Sequence, residues 1–165
     1  MLQKFYPEKW VTSTYSINFE ELYKEGYRGL LFDIDNTLVK HGEDATEEAE
    51  QLFIRLKEIG FEVCLISNNK LERVERFNKN IKVNYIYDAH KPSRKNYLKA
   101  MEVMGTDLSN TMFIGDQLFT DVYGAKRCGM HHILVEPIDK NEEIQIVLKR
   151  YLERIVLHFY KKTLK

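Results

Sequence analysis

The stretch Leu30-Leu31-Phe32-Asp33-Ile34-Asp35-Asn36-Thr37-Leu38 decides the reading of this chain. An apolar run leads straight into two carboxylates one residue apart. Such a run reads as a buried strand, with Asp33 and Asp35 at its end. In a parallel sheet that end opens to solvent. Charge gathered there needs an offset, most often a divalent cation or a phosphate-handling site.

Working outward, apolar runs and helical patterns alternate. Strands are expected at about 29–34, 62–66, 84–87, 111–114 and 131–135. Between the first two, Asp44 with Glu47 signals a helix start. Ala49, Leu52, Phe53, Leu56 and Ile59 then recur at helical spacing, and Gly60 closes that helix. Leu71, Val74 and Phe77 mark a second helix, and Tyr97, Leu98, Met101 and Met104 a third that ends at Gly105. A fourth is expected over 120–128, with Gly129 as its stop. Five strands alternating with helices predict an α/β fold, a Rossmann-like three-layer sandwich around a mainly parallel five-stranded sheet. Ligands of such sheets bind beyond the carboxyl ends of the strands. Asp33, Asp35, Ser67, Lys91, Asp116 and Asp121 all fall just past a predicted strand end, so residues far apart in sequence can converge there.

The flanks are read separately. Residues 1–28 are rich in aromatic side chains, and Asn18, Glu21 and Gly26 outline a short helix within them. This segment is expected to pack on one edge of a catalytic core spanning 29–136, with a lipid- or partner-binding surface as the alternative. In 141–165, Ile144, Val147, Leu148, Tyr151, Leu152, Ile155, Val156 and Phe159 form an apolar helical stripe, and Lys149, Arg150, Arg154, Lys161 and Lys162 make the remainder basic. The helix either docks on the domain or lies on an anionic membrane surface.

Composition sets the outer limits. The chain has 165 residues, 44% of them hydrophobic and 30% charged, which suits one globular domain over 1–165. Formal net charge is zero, so nothing global points to nucleic acid, and no nucleic-acid partner is expected. The first residues lack the apolar core of a signal peptide, and no apolar run is long enough to span a bilayer. Cys64 and Cys128 are far apart and show no metal or redox spacing. A cytoplasmic location is the expectation, with peripheral attachment at the inner face of the membrane left open. Oligomeric state is not legible.

Each chemical element has an ordinary explanation when taken alone. Asp-x-Asp-x-Thr can be a solvated loop, Ser67 a helix cap, Lys91 a solvated lysine, and Asp121 a carboxylate favouring a helix dipole. All four in order, each at a strand end, are much harder to obtain by accident. In this arrangement the sequence resembles the haloacid dehalogenase (HAD) superfamily of phosphatases. Asp33-Ile34-Asp35-Asn36-Thr37 matches the first motif, Ser67 the second, Lys91 the third, and Gly115-Asp116 through Asp121 the fourth.

The resemblance implies magnesium-dependent hydrolysis of a phosphomonoester through an aspartyl-phosphate. Asp33 would be the nucleophile and Asp35 the general acid and base, its carboxyl kept protonated in one step by crowding carboxylates. Mg2+ would be held by Asp33, the Asp35 carbonyl and Asp116, with Asp121 in support directly or through water. Ser67 and the Asn68 N–H would hold a phosphoryl oxygen, and Lys91 would neutralise developing charge. The gaps at 38–61 and 70–90 leave no room for a cap domain, so the site should be open. Within the superfamily the chain is similar to the capless subclass IIIA, YqeG-like group. The cues are Phe5-Tyr6-Pro7, the 30–38 block, Ile66-Ser67-Asn68-Asn69, Lys91-Pro92 and Gly115-Asp116-Gln117. That group resembles phosphatases of phosphatidylglycerophosphate, which makes a lipid headgroup the expected substrate. The alternatives are a phosphoprotein, a nucleic-acid end or a soluble phosphate ester, and a non-catalytic binding module on the same fold. The last is disfavoured because every catalytic position carries competent chemistry.

Overall fold

Leu30, Leu31 and Phe32 are fully buried, as a strand covered on both faces requires. They belong to the central strand of a computed structural model that describes residues 1–142 and 144–165. The strands are β1 (Lys9–Val11), β2 (Gly29–Phe32), β3 (Glu62–Ile66), β4 (Asn84–Ile86), β5 (Thr111–Gly115) and β6 (His131–Val135). They form one parallel sheet of order β1-β6-β5-β2-β3-β4. The chain runs outward from β2 through β3 to β4, then crosses back to β5 on the other side of β2. That reversal opens a crevice at the carboxyl end of β2.

The helices are α1 (Phe19–Lys24), α2 (Glu47–Ile59), α3 (Leu71–Asn78), α4 (Arg94–Met104), α5 (Tyr123–Cys128) and α6 (Ile144–Thr163). Side-chain alternation along the strands divides the core between the two faces. Leu30 and Phe32 pack with Leu52, Phe53 and Leu56 of α2 and Val74 and Phe77 of α3. Leu31, Cys64 and Phe113 pack on the opposite face with Tyr97 and Met101 of α4 and Ala125 and Cys128 of α5. Both cysteines are buried and unbonded. The three-layer α/β sandwich is therefore as expected.

The sheet has six strands rather than five. The added β1 pairs Lys9 with Ile133, Trp10 with Leu134 and Val11 with Val135. Three residues carry too little periodicity to announce a strand, and the pairing partner lies more than 120 residues away. The helix expected over 120–128 is broken in two. A π-helical turn spans Leu118–Val122 before α5 begins. The cap of α2 is Thr46, whose side chain accepts from the Ala49 N–H at 3.1 Å, and not Asp44.

Helix α6 docks through a different face from the one its apolar stripe suggests. Its buried residues are Arg150, Glu153, Val156 and Tyr160. Val147, Leu148, Tyr151, Leu152, Ile155 and Phe159 remain exposed, as do Lys149, Arg154, Lys161 and Lys162. Arg150, read as part of the basic remainder, points into the protein. Val156 joins Leu118, Val122 and Leu134, and Tyr160 meets the ring of Tyr6 edge-on at 5.4 Å. The aromatic N-terminal segment completes this corner, with Phe5 against Phe119 and Tyr123. No helix among the described residues is long and apolar enough to cross a membrane.

Candidate active site

Strand β2 ends where its ladder does: the Asp33 N–H donates to the Ile114 carbonyl at 3.0 Å, and the chain then turns. The Ile34 carbonyl accepts from the N–H groups of Thr37 and Leu38, and Asn36 sits at φ 61°. Asparagine tolerates this left-handed conformation better than most residues. The turn sends Asp33 and Asp35 in different directions. It also buries Thr37, whose hydroxyl lies 3.3 Å from Asp33 Oδ2 and 3.0 Å from Asp116 Oδ1.

Asp33, Asp116 and Asp121 converge, with one carboxylate oxygen from each within 4.8 Å of the others. Lys91 bridges two of them, its Nζ 2.7 Å from both Asp33 Oδ1 and Asp121 Oδ1. Asp121 Oδ2 accepts the Asp116 and Gln117 N–H groups at 3.1 and 3.0 Å, which pins the loop after β5. This approach depends on Gly115, since a Cβ there would lie 2.6 Å from Asp121 Oδ2. Asn68 holds Lys91 by its backbone, accepting the Lys91 N–H at 2.7 Å and donating to its carbonyl at 3.3 Å. Ser67 Oγ accepts the Asn69 N–H at 3.0 Å, so it caps the turn and still has a proton to donate.

Burial pushes the Asp33 carboxyl well above the ordinary range. Lys91 opposes that rise, and Asp121 and Asp116 add to it. Burial likewise raises Asp116, to about 6, against the pull of Arg150. Burial alone would lower Lys91, but Asp121 and Asp33 outweigh it and hold the ammonium charged. Asp33, Asp116, Asp121, Glu142 and Glu153 thus meet two cationic side chains, Lys91 and Arg150, in one connected network. The carboxylates outnumber the cations, and burial disfavours the excess negative charge at Asp33 and Asp116. Three buried carboxylates converging beside a single ammonium are the oxygen donors that a hard divalent ion takes. The residues fit such an ion.

Asp35 departs from expectation. Its contacts are with groups that favour its charged form, not with carboxylates. Oδ1 accepts the Gly42 N–H at 2.7 Å and Arg73 Nη2 at 2.9 Å, and Oδ2 accepts Asn69 Nδ2 at 2.7 Å. Burial would raise this carboxyl, but Gly42, Arg73 and His41 together hold it below its usual value. The turn after Asp33 is the cause, because it carries Asp35 toward α3 and away from the acidic cluster.

Asp33, Asp35, Ser67, Asn68 and Lys91 line a cavity of about 190 Å3 with His41, Asn69, Gln117, Thr120, Glu142 and Ile146. Asp116 and Asp121 stand behind it, 2% and 0% exposed. All seven residues singled out from the sequence are therefore gathered at one strand-end crevice. The sequence did not single out Arg73, Glu142 and Arg150 as parts of the site. The first and last are lone arginines in amphipathic helices, and no local pattern distinguishes them from surface charge. His41, which shows no ligand spacing in the sequence, also lines the cavity.

Comparison with known proteins agrees with this geometry. A family model described as haloacid dehalogenase-like hydrolase matches residues 41–129, a span containing Ser67, Lys91, Asp116 and Asp121. The chain is 35% identical to "Probable phosphatase YqeG" of Bacillus subtilis over 98% of its own length and 95% of the relative's. It is 30% identical to a glyceraldehyde 3-phosphate phosphatase of Pyrococcus abyssi, covering 50% of this chain and 38% of that one. Among solved structures, the cobalt-bound deoxy-D-mannose-octulosonate 8-phosphate phosphatase of Haemophilus influenzae shares the fold. It superposes with a TM-score of 0.54 at 18% identity, over 84% of this chain and 91% of that one. A parallel sheet ending in an acidic cluster, a family match over more than half of the chain and a near full-length relative converge on one conclusion: the chain belongs to the haloacid dehalogenase-like hydrolases.

Proposed function

We propose that the chain is a phosphomonoester hydrolase that attacks phosphate with Asp33 and works with Mg2+. The observation that carries this reading is the pairing of Asp33 Oδ1 with Lys91 Nζ at 2.7 Å on the wall of a cavity shared with Ser67 and Asn68. That juxtaposes a nucleophilic carboxylate, a fixed cation and groups that can hold phosphoryl oxygens. In the first step an Asp33 oxygen forms a bond to phosphorus and the ester P–O bond breaks. Asp35 gives its proton to the leaving oxygen, which departs as an alcohol. In the second step water attacks the phosphorus of the aspartyl-phosphate. Asp35 takes a proton from that water, and Asp33 is released with inorganic phosphate. Beside Arg73 the free Asp35 carboxyl favours its charged form, and an arriving phosphate dianion raises its pKa so that it takes up a proton from solvent before the first step. Lys91 neutralises charge on the transferring group, and the Ser67 hydroxyl donates to a phosphoryl oxygen. Asp33, Asp116 and the Asp35 carbonyl would hold Mg2+, with Asp121 in support; when bound, the ion supplies charge stabilisation for phosphoryl transfer.

The favoured substrate is phosphatidylglycerophosphate, with phosphatidylglycerol and inorganic phosphate as products. The cavity, at about 190 Å3, is smaller than the roughly 300–1,000 Å3 of pockets that enclose a whole small ligand. It suits a phosphate whose bearer stays outside. Ile146 of α6 lines the cavity, while the outer face of that helix exposes Leu148, Tyr151, Leu152 and Phe159 beside Lys149 and Arg154. An apolar face edged with basic residues suits an anionic membrane surface. This reading places the protein in the cytoplasm, at the inner face of the membrane. Similarity to the Pyrococcus glyceraldehyde 3-phosphate phosphatase favours a second reading, a soluble phosphate ester, although this chain spans well under half of that protein.

A substrate panel decides between them. Phosphatidylglycerophosphate in mixed micelles is expected to give a kcat/KM at least tenfold above glyceraldehyde 3-phosphate and glycerol 3-phosphate. Faster turnover of either soluble ester would overturn the lipid assignment.

A further inference from the structure

Arg150 lies outside every motif that identified the site, yet it is the most heavily committed side chain of α6. Its Nη1 donates to the Asp116 carbonyl at 2.8 Å and to Glu153 Oε2 at 3.0 Å. Its Nε donates to Glu142 Oε1 at 2.7 Å, and its Nη2 to Glu142 Oε2 at 3.1 Å. The same Nη2 makes an ion pair with Asp116 Oδ2. Glu153 extends the connection, accepting the Leu118 N–H at 2.9 Å. One guanidinium therefore grips both the backbone and the side chain of Asp116. Thr37 meets the other carboxylate oxygen at 3.0 Å. Together they determine the rotation of the Asp116 carboxylate about its own axis.

We propose that Arg150 is a positioning residue for Asp116, and that α6 is thereby a working part of the site. This rests on the reading of Asp116 as a cation ligand. Such outer partners orient a ligating carboxylate before the ion arrives, and their loss costs metal affinity. A planar fork bound at several points suits this task better than a flexible ammonium.

The alternative role, simple charge balance, makes the opposite prediction. Arg150 brings a positive charge into direct contact with the cluster. If it served only as a counter-charge, its removal would make cation binding tighter. If it orients Asp116, its removal makes binding weaker in spite of the electrostatic gain.

Calorimetric titration of Mg2+ and Mn2+ into the full chain separates the two. Arg150→Met is expected to weaken binding about tenfold or more, with Arg150→Lys between it and the wild type. Thermal melting and circular dichroism check that each variant keeps its fold. If Arg150→Met does not fold, Arg150→Lys carries the test, because it keeps the charge and the aliphatic stem but loses the fork. Equal or tighter binding in the folded variant would overturn the inference while leaving the cation reading intact. No binding to the wild type would remove the cation reading, and the inference with it.

Discussion

At the scale of single residues, the site is a set of carboxylates distinguished by their neighbours. Asp33, Asp116 and Asp121 share a buried cluster, whereas Asp35, two positions along the chain from Asp33, is turned toward Arg73 and Asn69. Burial raises the Asp33 and Asp116 carboxyls, and Asp35 is lowered by its donors. Asp116 gives this contrast a measurable consequence. Its folded value of about 6 exceeds the unfolded value of 3.8, so between those values the native state binds the extra proton. Without a divalent cation, stability contributed by Asp116 is complete below about pH 4 and is lost as pH rises to about 6. Relative to Asp116→Asn, the wild type should lose up to about 3 kcal/mol across that window and nothing further above it. Urea denaturation of both proteins from pH 4 to 8 in EDTA checks this, and a pH-independent difference would contradict it. On the proposed reading of the cluster as a cation site, added Mg2+ should restore stability chiefly above pH 6.

The residues legible in the sequence share one property. Asp33, Asp35, Ser67, Lys91 and Asp116 each follow a predicted strand, so a local pattern located them. Arg73 and Arg150 reach their partners across 38 and 34 positions, and that pairing exists only after folding. The same limit applies to the direction of the Asp35 pKa. The sequence reading expected crowding by carboxylates, whereas Asp35 meets Gly42, Asn69 and Arg73 once the chain has turned after Asp33.

At the scale of elements, α6 is the least conventional. Its docked stripe of Arg150, Glu153, Val156 and Tyr160 is half charged, and its more apolar stripe faces outward. A helical periodicity shows that two faces differ but not which one the domain covers. Here the buried acidic cluster takes the arginine and leaves the apolar stripe free. Replacing Leu148 and Leu152 with Gln should change stability by no more than about 0.5 kcal/mol each, because both are exposed. The same change should abolish most flotation with vesicles rich in anionic lipid. Undiminished flotation would show that this face is not what meets the membrane. β1 illustrates the other limit of reading elements from sequence. Its three residues are defined by pairing with β6, not by their own pattern.

At the scale of the molecule, the topology concentrates the chemistry. One reversal of strand order around β2 brings the ends of β2, β3 and β5 and the loop after β4 to a single crevice, and α6 closes its far side. The parallel α/β architecture was legible because five buried runs alternate with helical patterns. The sixth strand depends on pairing with β6, and the seating of α6 on contacts with the segment after β5, both distant in sequence. Around the crevice the cavity is small and no cap is built from the 33–46 or 67–93 segments, so a bulky or surface-held phosphate has access. The proposed chemistry converges on one bond, between Asp33 and phosphorus. Acid quenching during turnover of an aryl phosphate with Mg2+, followed by peptide mass spectrometry, looks for that bond directly. A hydroxylamine-sensitive phosphoryl group on the peptide carrying Asp33, absent from an inactive Asp33→Asn variant, is the expected result; an unmodified peptide together with a fully active Asp33→Asn enzyme would contradict it.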